Sequence, residues 1–387
     1  MPSSNRTARG ALSVALIGTR GVPAQYGGFE TCVEEVGRRL ADRGHRVTVY
    51  CRNSSGERPT DHLGMALVHL PALHHRTLET LSHTGLSVAH SLVRRPDVAI
   101  VFNCANAPFL PLLRAAKIPF ATHVDGLEWK RAKWGPSGQR YYRRAERMAV
   151  RWSSALIADA QGISEYYSAT HGASTDLIAY GAPLVDRNVD RLAELNLVAN
   201  QYHLVVARFE PENHILEIVR GYTMSGATLP LIVIGSAPYS HAYTKQVQEA
   251  ADSRVRFMGA VWDQELLDQV YAGANTYLHG HSVGGTNPSL LRAIGAGVAT
   301  DAFDVNFNRE VLGPSGRFFT SPEQVARLVE DAEQFPARVA ERGRWALDQA
   351  HRYDWDDVTD SYENLCRRLA GAGSRRFLRR QRLEASR

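Results

Sequence analysis

Of 387 residues only four are cysteine: Cys32, Cys51, Cys104 and Cys366. They stand far apart, with no C-x-x-C pair and no histidine beside them at metal-ligand spacing. That pattern excludes a disulfide framework and a zinc module, and the four read as reduced core thiols of a cytoplasmic protein. No apolar run approaches the roughly 18 residues that cross a bilayer. The run ALSVALI near the N-terminus is short and reads as a first strand rather than a signal segment. Neither sign of charge dominates, since 45 Lys and Arg stand against 40 Asp and Glu for a net charge of +5. This mild basic excess suits an anionic ligand or a membrane surface. Nucleic acid is a poor fit, because the basic residues lack interleaved aromatics on a strand platform.

What is present is a repeated alternation of short apolar runs with helical patterns. In the first half, 11–17, 46–51, 97–102, 119–124 and 155–158 read as strands, continuous in Val, Ile, Ala and Phe as parallel strands covered on both faces should be. Between the first two, Phe29, Val33, Val36 and Leu40 form one apolar stripe of a helix that Gly44 ends. The pattern restarts with strands at 202–207, 229–235, 254–258, 276–279 and 298–303, after a charged linker at 186–200. The expectation is an α/β protein of two doubly wound domains, 1–185 and 186–350. A helix over 351–370 and an arginine-rich tail, 371–387, follow. The tail, like the basic helix RYYRRAERMAVR at 140–151, reads either as a solvated surface or as a contact for an anionic membrane.

The first strand runs into GTRGVPAQYGGFE, with glycines at 18, 21, 27 and 28 ahead of a helix. A helix N-terminus offers free N–H groups and partial positive charge, and glycines let backbone approach a ligand closely. The stretch has neither the Lys-Ser/Thr of a triphosphate loop nor the G-x-G-x-x-G of a dinucleotide fingerprint, so by itself it is either an anion cradle or a plain connection. A second such stretch, HSVGGTNPSLLRAIGAG at 281–297, follows a strand of the second half, with Asn287 or Thr286 placed to cap and Pro288 in the first turn. Two loops of this kind facing each other across a cleft suit a ligand with a diphosphate in its middle. Arg208 ends the strand HLVVAR and reads either as a phosphate-gripping fork or as a surface partner of Glu210 or Glu212. His214 could add a donor to the same phosphate or be an ordinary loop histidine.

Taken together, IGTRGVPAQYGGFET, HVDGLEWKRAKW, VVARFEPENH and GGTNPSLL with FNREVLG resemble the family 4 retaining glycosyltransferases of the two-domain GT-B fold. Within that family they are most similar to the branch that contains rhamnosyltransferases of bacterial surface polysaccharides. The resemblance spans residues 13 to 368 and implies a set of roles. Gly27 and Gly28 approach the donor diphosphate, Arg208 and His214 bind it, and Gly235, Ser236, Gly284, Gly285, Thr286, Asn287 and Arg292 complete the donor site. His123 and Asp125 join Arg208 as catalytic candidates, while Tyr26, Glu30 and Glu128 face the acceptor. The residues themselves leave alternatives: Asp125 and Glu128 could pair with Lys130 or Arg131, Trp129 and Trp134 could be packing, and His123 could be a structural histidine.

The resemblance further implies transfer with retention, no protein nucleophile, no cofactor and no metal, the nucleotide sugar being substrate. Thymidine-diphosphate rhamnose or another deoxysugar is the donor it points to. The acceptor is a glycan, a lipid-linked sugar or a natural product, reached from the cytoplasm or from the inner face of the membrane. Two departures stand out. Asn213 and His214 occupy the place of a usual lysine, and Gly284 and Arg292 the places of the family's paired glutamates. Arginine has no acceptor for a ribose hydroxyl, so a catalytically impaired nucleotide-sugar-binding protein is the alternative, and a sugar-nucleotide epimerase on the same architecture another.

Overall fold

A computed structural model describes residues 10–24, 27–53, 58–73, 78–124, 126–235 and 241–384. Two sheets follow one another along the chain. The first contains β1 (Ser13–Ile17), β2 (Arg46–Arg52), β3 (Asp61–His62), β4 (Met65–Leu70), β5 (Val98–Phe102), β6 (Phe120–His123), β7 (Ala155–Ala158) and β8 (Asp176–Leu177). Their order is β3-β4-β2-β1-β5-β6-β7-β8, and only β3 runs antiparallel. With them come α1 (Gly28–Asp42), α2 (Glu79–Arg94), α3 (Leu110–Ala115), α4 (Pro136–Trp152) and α5 (Gln161–His171).

The second sheet contains β9 (His203–Val206), β10 (Leu231–Ile234), β11 (Val255–Gly259), β12 (Thr276–His279), β13 (Thr300–Phe303) and β14 (Arg317–Phe319), all parallel, in the order β11-β10-β9-β12-β13-β14. Its helices are α6 (Ile215–Met224), α7 (His241–Glu249), α8 (Gln264–Ala272), α9 (Pro288–Gly295), α10 (Asn306–Leu312), α11 (Pro322–Gln334) and α12 (Pro336–Ala350). A last helix, α13 (Trp355–Glu384), completes the chain's described part.

Both faces of each sheet are covered, which is why the strands read as continuous apolar runs. On β1, Val14 and Leu16 face the core beneath α1 and α13, whereas Ala15 and Ile17 face the core beneath α2 to α5. All five residues of β5 are buried. In each sheet the chain winds outward from one strand in both directions: β1 lies between β2 and β5, and β9 between β10 and β12. Such a reversal opens a crevice at the carboxyl ends of the strands, where ligands of this architecture bind. The loops at Gly18, Arg208 and His281 leave the sheets at those ends.

The chain passes between the two units twice. After β8 it crosses at 181–185, where Val185 donates its N–H to the Gly295 carbonyl at 3.1 Å. It returns ahead of α13, and the Ala182 N–H donates to the Tyr353 carbonyl at 2.7 Å, so the two passages lie side by side. α13 then packs on α1. Asp356 meets Arg39 at 3.1 Å, Asp360 and Glu363 meet Arg43 at 2.6 and 3.0 Å, and the Cys32 thiol donates to the Tyr362 oxygen. The helix expected to stop at 370 continues to Glu384. The added stretch is mainly Arg, Leu and Gln, good helix formers that outweigh the cost of about 1 kcal/mol for each glycine.

Candidate functional site

The glycine loop after β1 is held by the helix it feeds. Gly18, Gly21 and Gly27 have φ of 101°, 107° and 108°, a region that favours glycine. Glu30, in the first turn of α1, accepts the Arg20 N–H at 3.0 Å, and Glu34 accepts the Ala24 N–H at 2.8 Å. These two loop amides are therefore satisfied internally. The first turn of α1 adds further donors, since the leading N–H groups of a helix have no partner within it. Glu30 thus shapes the loop as well as bordering the cleft. Tyr26 of this loop lies outside the described residues, as do Asp125 and Ser236.

Opposite stands the start of α9. Asn287 caps it, its Oδ1 accepting from the Ser289 N–H at 2.9 Å and the Ser289 hydroxyl at 2.7 Å, and Pro288 fills the first helical position. A Cβ added to Gly28 would lie 3.1 Å from the Pro288 ring and 3.3 Å from Tyr180. The N-termini of α1 and α9 therefore meet, each bringing its partial positive charge to one place.

Between them is a cleft of about 510 Å³. The first unit lines it with Arg20, Gly27, Gly28, Glu30 and Glu35, and the second with Arg208, Gly235, Trp262, His281, Asn287 and Arg292. Gly235 has a φ of 138°, and a Cβ there would fall 1.9 Å from the Ala207 carbonyl oxygen, so the approach of the β10 end to the β9 end requires glycine. Arg292 is engaged by α8, with its Nε 3.0 Å from Asp268 and Nη2 donating to Gln264 at 2.8 Å. His281 stacks on His279 with ring centroids 4.5 Å apart, and its Nδ1 is buried without a hydrogen bond. Burial, reinforced by His279, Arg208, Arg131 and His214, holds that imidazole neutral, well below the usual histidine range.

Gly284, Gly285 and Thr286 stand at the junction of the two units rather than on the cleft wall. A Cβ on Gly126 would fall 2.3 Å from the Gly284 Cα, and one on Gly285 would fall 1.9 Å from the Asp159 carboxylate. The Thr286 hydroxyl donates to the Asp159 carbonyl. His214, at φ 47°, ends the turn before α6. Its Nδ1 donates to the Gly280 carbonyl at 2.8 Å and its ring stacks on Phe303 at 3.8 Å. That bond leaves Nε2 as the nitrogen able to meet a ligand.

His123 lies one layer beneath the cleft, fully buried at the end of β6. Its ring is 5.1 Å from Phe29, 5.4 Å from Phe102 and 5.8 Å from Tyr180. Burial pushes it down to about 3, offset only in part by the Val124 backbone, so it is a neutral imidazole. Glu128 is buried too. It pairs with Arg131 at 2.5 Å and Lys133 at 2.8 Å, and accepts from the Trp134 indole at 3.2 Å. Burial would raise its carboxyl, but Arg131 and Lys133 hold it below the ordinary value. Arg131 reaches on to Glu212 of the second unit, 3.5 Å away. The carboxylate of Glu128 thus positions a cation that bridges the units.

Four of the lining residues named above are absent from the sequence-based reading: Arg20, Glu35, Trp262 and His281. Arg20 is the one cation in the first glycine loop, and Trp262 and His281 each follow a strand's carboxyl end, a position that marks crevice residues in this architecture.

Residues 27–181 match a family described as "Glycosyl transferase 4-like domain". No curated protein matches the sequence significantly. Among solved structures, sucrose-phosphate synthase from Thermosynechococcus elongatus superposes with a TM-score of 0.79 at 20% identity, covering 93% of this chain and 99% of that one. HepE of Anabaena, solved in complex with UDP-glucose, gives 0.72 at 16% identity over 91% and 99%. The α,α-trehalose 6-phosphate synthase of Burkholderia multivorans gives 0.70 at 10% identity over 94% and 99%. The fold is that of the GT-B glycosyltransferases: two Rossmann-like units facing across a cleft.

Proposed function

We propose that the protein transfers a sugar from a nucleoside-diphosphate donor to a sugar-bearing acceptor, with retention at the anomeric carbon. The observation that carries this reading is the meeting of two helix N-termini, at Gly28 and Pro288, in a cleft that Arg20 and Arg208 also line. Backbone N–H groups, helix dipoles and guanidinium forks together suit a diphosphate. The match of residues 27–181 and the UDP-glucose complex of HepE support the same class of donor.

In this reaction the bond between the sugar's anomeric carbon and the distal phosphate oxygen breaks. The acceptor hydroxyl oxygen bonds to that carbon on the same face, and its proton passes to the departing phosphate. Arg208 and the two helix ends stabilise the negative charge that grows on the leaving diphosphate. The neutral His281 beside Arg208 can donate a further hydrogen bond without adding charge. The reading needs no metal and no cofactor, because arginines and helix ends supply the positive potential. We assign His123 a positioning role, since it supports Phe29 and Tyr180 from below. The donor sugar is a deoxysugar such as rhamnose and the acceptor is lipid-linked, which sets the enzyme in peripheral contact with the inner face of a membrane.

The test is calorimetric titration with uridine and thymidine diphosphates, followed by incubation of sugar donors with acceptors and mass analysis of the products. Binding with glycosylated product bears the reading out. Failure to bind any nucleoside diphosphate, or sugar conversion without an acceptor, would sink it.

A further inference from the structure

α4 carries its charge in one direction only. Arg140, Arg144, Arg147 and Arg151 recur at spacings of 4, 3 and 4, which aligns them along a single stripe, and Arg143 stands beside it. All five are exposed. The helix has one acid, Glu146, and it is buried, accepting a hydrogen bond from the Tyr166 hydroxyl at 3.0 Å. Among the described residues no acid lies within ion-pair distance of any of the five arginines, and only Arg143 feels the charge of Glu146 from farther off. α1 is built otherwise. On α1, Arg38 and Arg39 meet Glu35, and Arg39 and Arg43 meet acids of α13. Like charges at this spacing repel and weaken the helix that carries them, so the stripe gains stability when something anionic covers it.

The neighbouring helices add apolar side chains to the same layer. α2, α3 and α4 pack side by side on one face of the first sheet, and they expose Leu86, Val93 and Leu112, Val93 by as much as 82%. Arg143 lies over the Trp129 ring at 4.2 Å and Arg151 over Trp152 at 5.3 Å. Cations extended along a helix of roughly 25 Å, beside exposed aliphatic side chains, match a plane of phosphate headgroups above an acyl layer. A nucleic acid or an acidic glycan would use the arginines and leave the aliphatic groups in water.

We infer that the outer face of α2, α3 and α4 docks on an anionic phospholipid bilayer, with the α4 arginine stripe as its electrostatic contact. At its N-terminal end the stripe adjoins Lys130 and Arg131, and Arg131 reaches Glu212 across the junction of the two units. Docking there brings the mouth of the cleft to a membrane-borne acceptor. The inference rests on the transferase reading for this purpose alone, and its test separates the two.

The experiment is vesicle flotation of the full chain, with phosphatidylcholine vesicles prepared with and without phosphatidylglycerol. Wild type is compared with the combined variant Arg140→Gln, Arg144→Gln, Arg147→Gln and Arg151→Gln, and transfer to a water-soluble acceptor is measured for both. The expected result is salt-sensitive binding to the anionic vesicles alone, weakened roughly fivefold per arginine removed and so by several hundredfold in the variant, with soluble transfer unchanged. Three outcomes overturn the inference: equal binding to neutral vesicles, a variant that binds as wild type does, or displacement from anionic vesicles by an equal phosphate concentration of DNA. Vesicle binding by a wild type that transfers no sugar would keep the docking surface and remove the transferase reading.

Discussion

Arg292 holds its Nε 3.0 Å from Oδ1 of Asp268, joining α9 to α8 at the edge of the cleft. Arg292, at a position where the resemblance implies a glutamate, thus faces a carboxylate from the preceding helix. Burial pushes the Asp268 carboxyl above its usual range, and Arg292 draws it partly back. Arg292→Glu sets two carboxylates against each other. We expect a loss of stability on the order of 1–3 kcal/mol near pH 7 that shrinks near pH 4, where both acids begin to take up protons. Urea unfolding at the two pH values checks this, and equal stability at neutral pH would contradict it.

Arg208→Ala removes a preorganised cation from the cleft. On the proposed mechanism turnover should fall roughly a hundred- to a thousandfold, with a smaller change in donor KM, because there the guanidinium acts most strongly as the phosphate departs. Arg208→Lys should recover part of the rate, since it keeps the charge and loses the fork. Steady-state kinetics with a saturating acceptor decide the point.

Gly126→Ala tests the junction. A methyl group there would fall 2.3 Å from the Gly284 Cα, so the two units must separate by about an ångström, a displacement that can cost on the order of a hundredfold in rate. Gly135→Ala is the control, because a Cβ at that position meets no neighbour. Circular dichroism should be unchanged in both variants, with turnover lost only in the first.

Acid should loosen the last helix. Burial would raise the Glu363 carboxyl, yet hydrogen bonds from Arg367, Arg43 and His45 bring it down to about 2. A carboxyl depressed on folding contributes stability above its unfolded value, about 4.3, and that contribution is lost as pH falls from there toward 2. The urea midpoint of wild type should drop through this window, and Glu363→Gln should flatten the drop.

The sheets were legible because parallel strands covered on both faces must be apolar throughout. Each of the ten strands read from the sequence appears within about two residues of its expected ends. β4 escaped notice because MALVHL is only partly buried and follows a turn rather than a helix, and β3, β8 and β14 are too short to form a pattern. At the site, sequence marks residues that leave strand ends, and Arg208, Gly28 and Asn287 do line the cleft. It does not show which partner a side chain meets. Glu128 took the local pairing with Arg131 that its spacing had left open, whereas the reach of Arg131 to Glu212 and the approach of Gly284 and Gly285 to Gly126 and Asp159 join distant segments that no local spacing encodes.

The paired passages between the units, tied by Ala182 and Tyr353, have a mechanical consequence. A single connecting segment would let one half swivel in any direction, whereas two adjacent segments form a hinge with one easy rotation axis. Gly181 lies against the Trp355 ring at this hinge, where a Cβ would come within 2.3 Å, so the pivot is a packed bearing rather than a loose tether. An opening about that axis would carry Arg208 away from the first glycine loop and back along the same path.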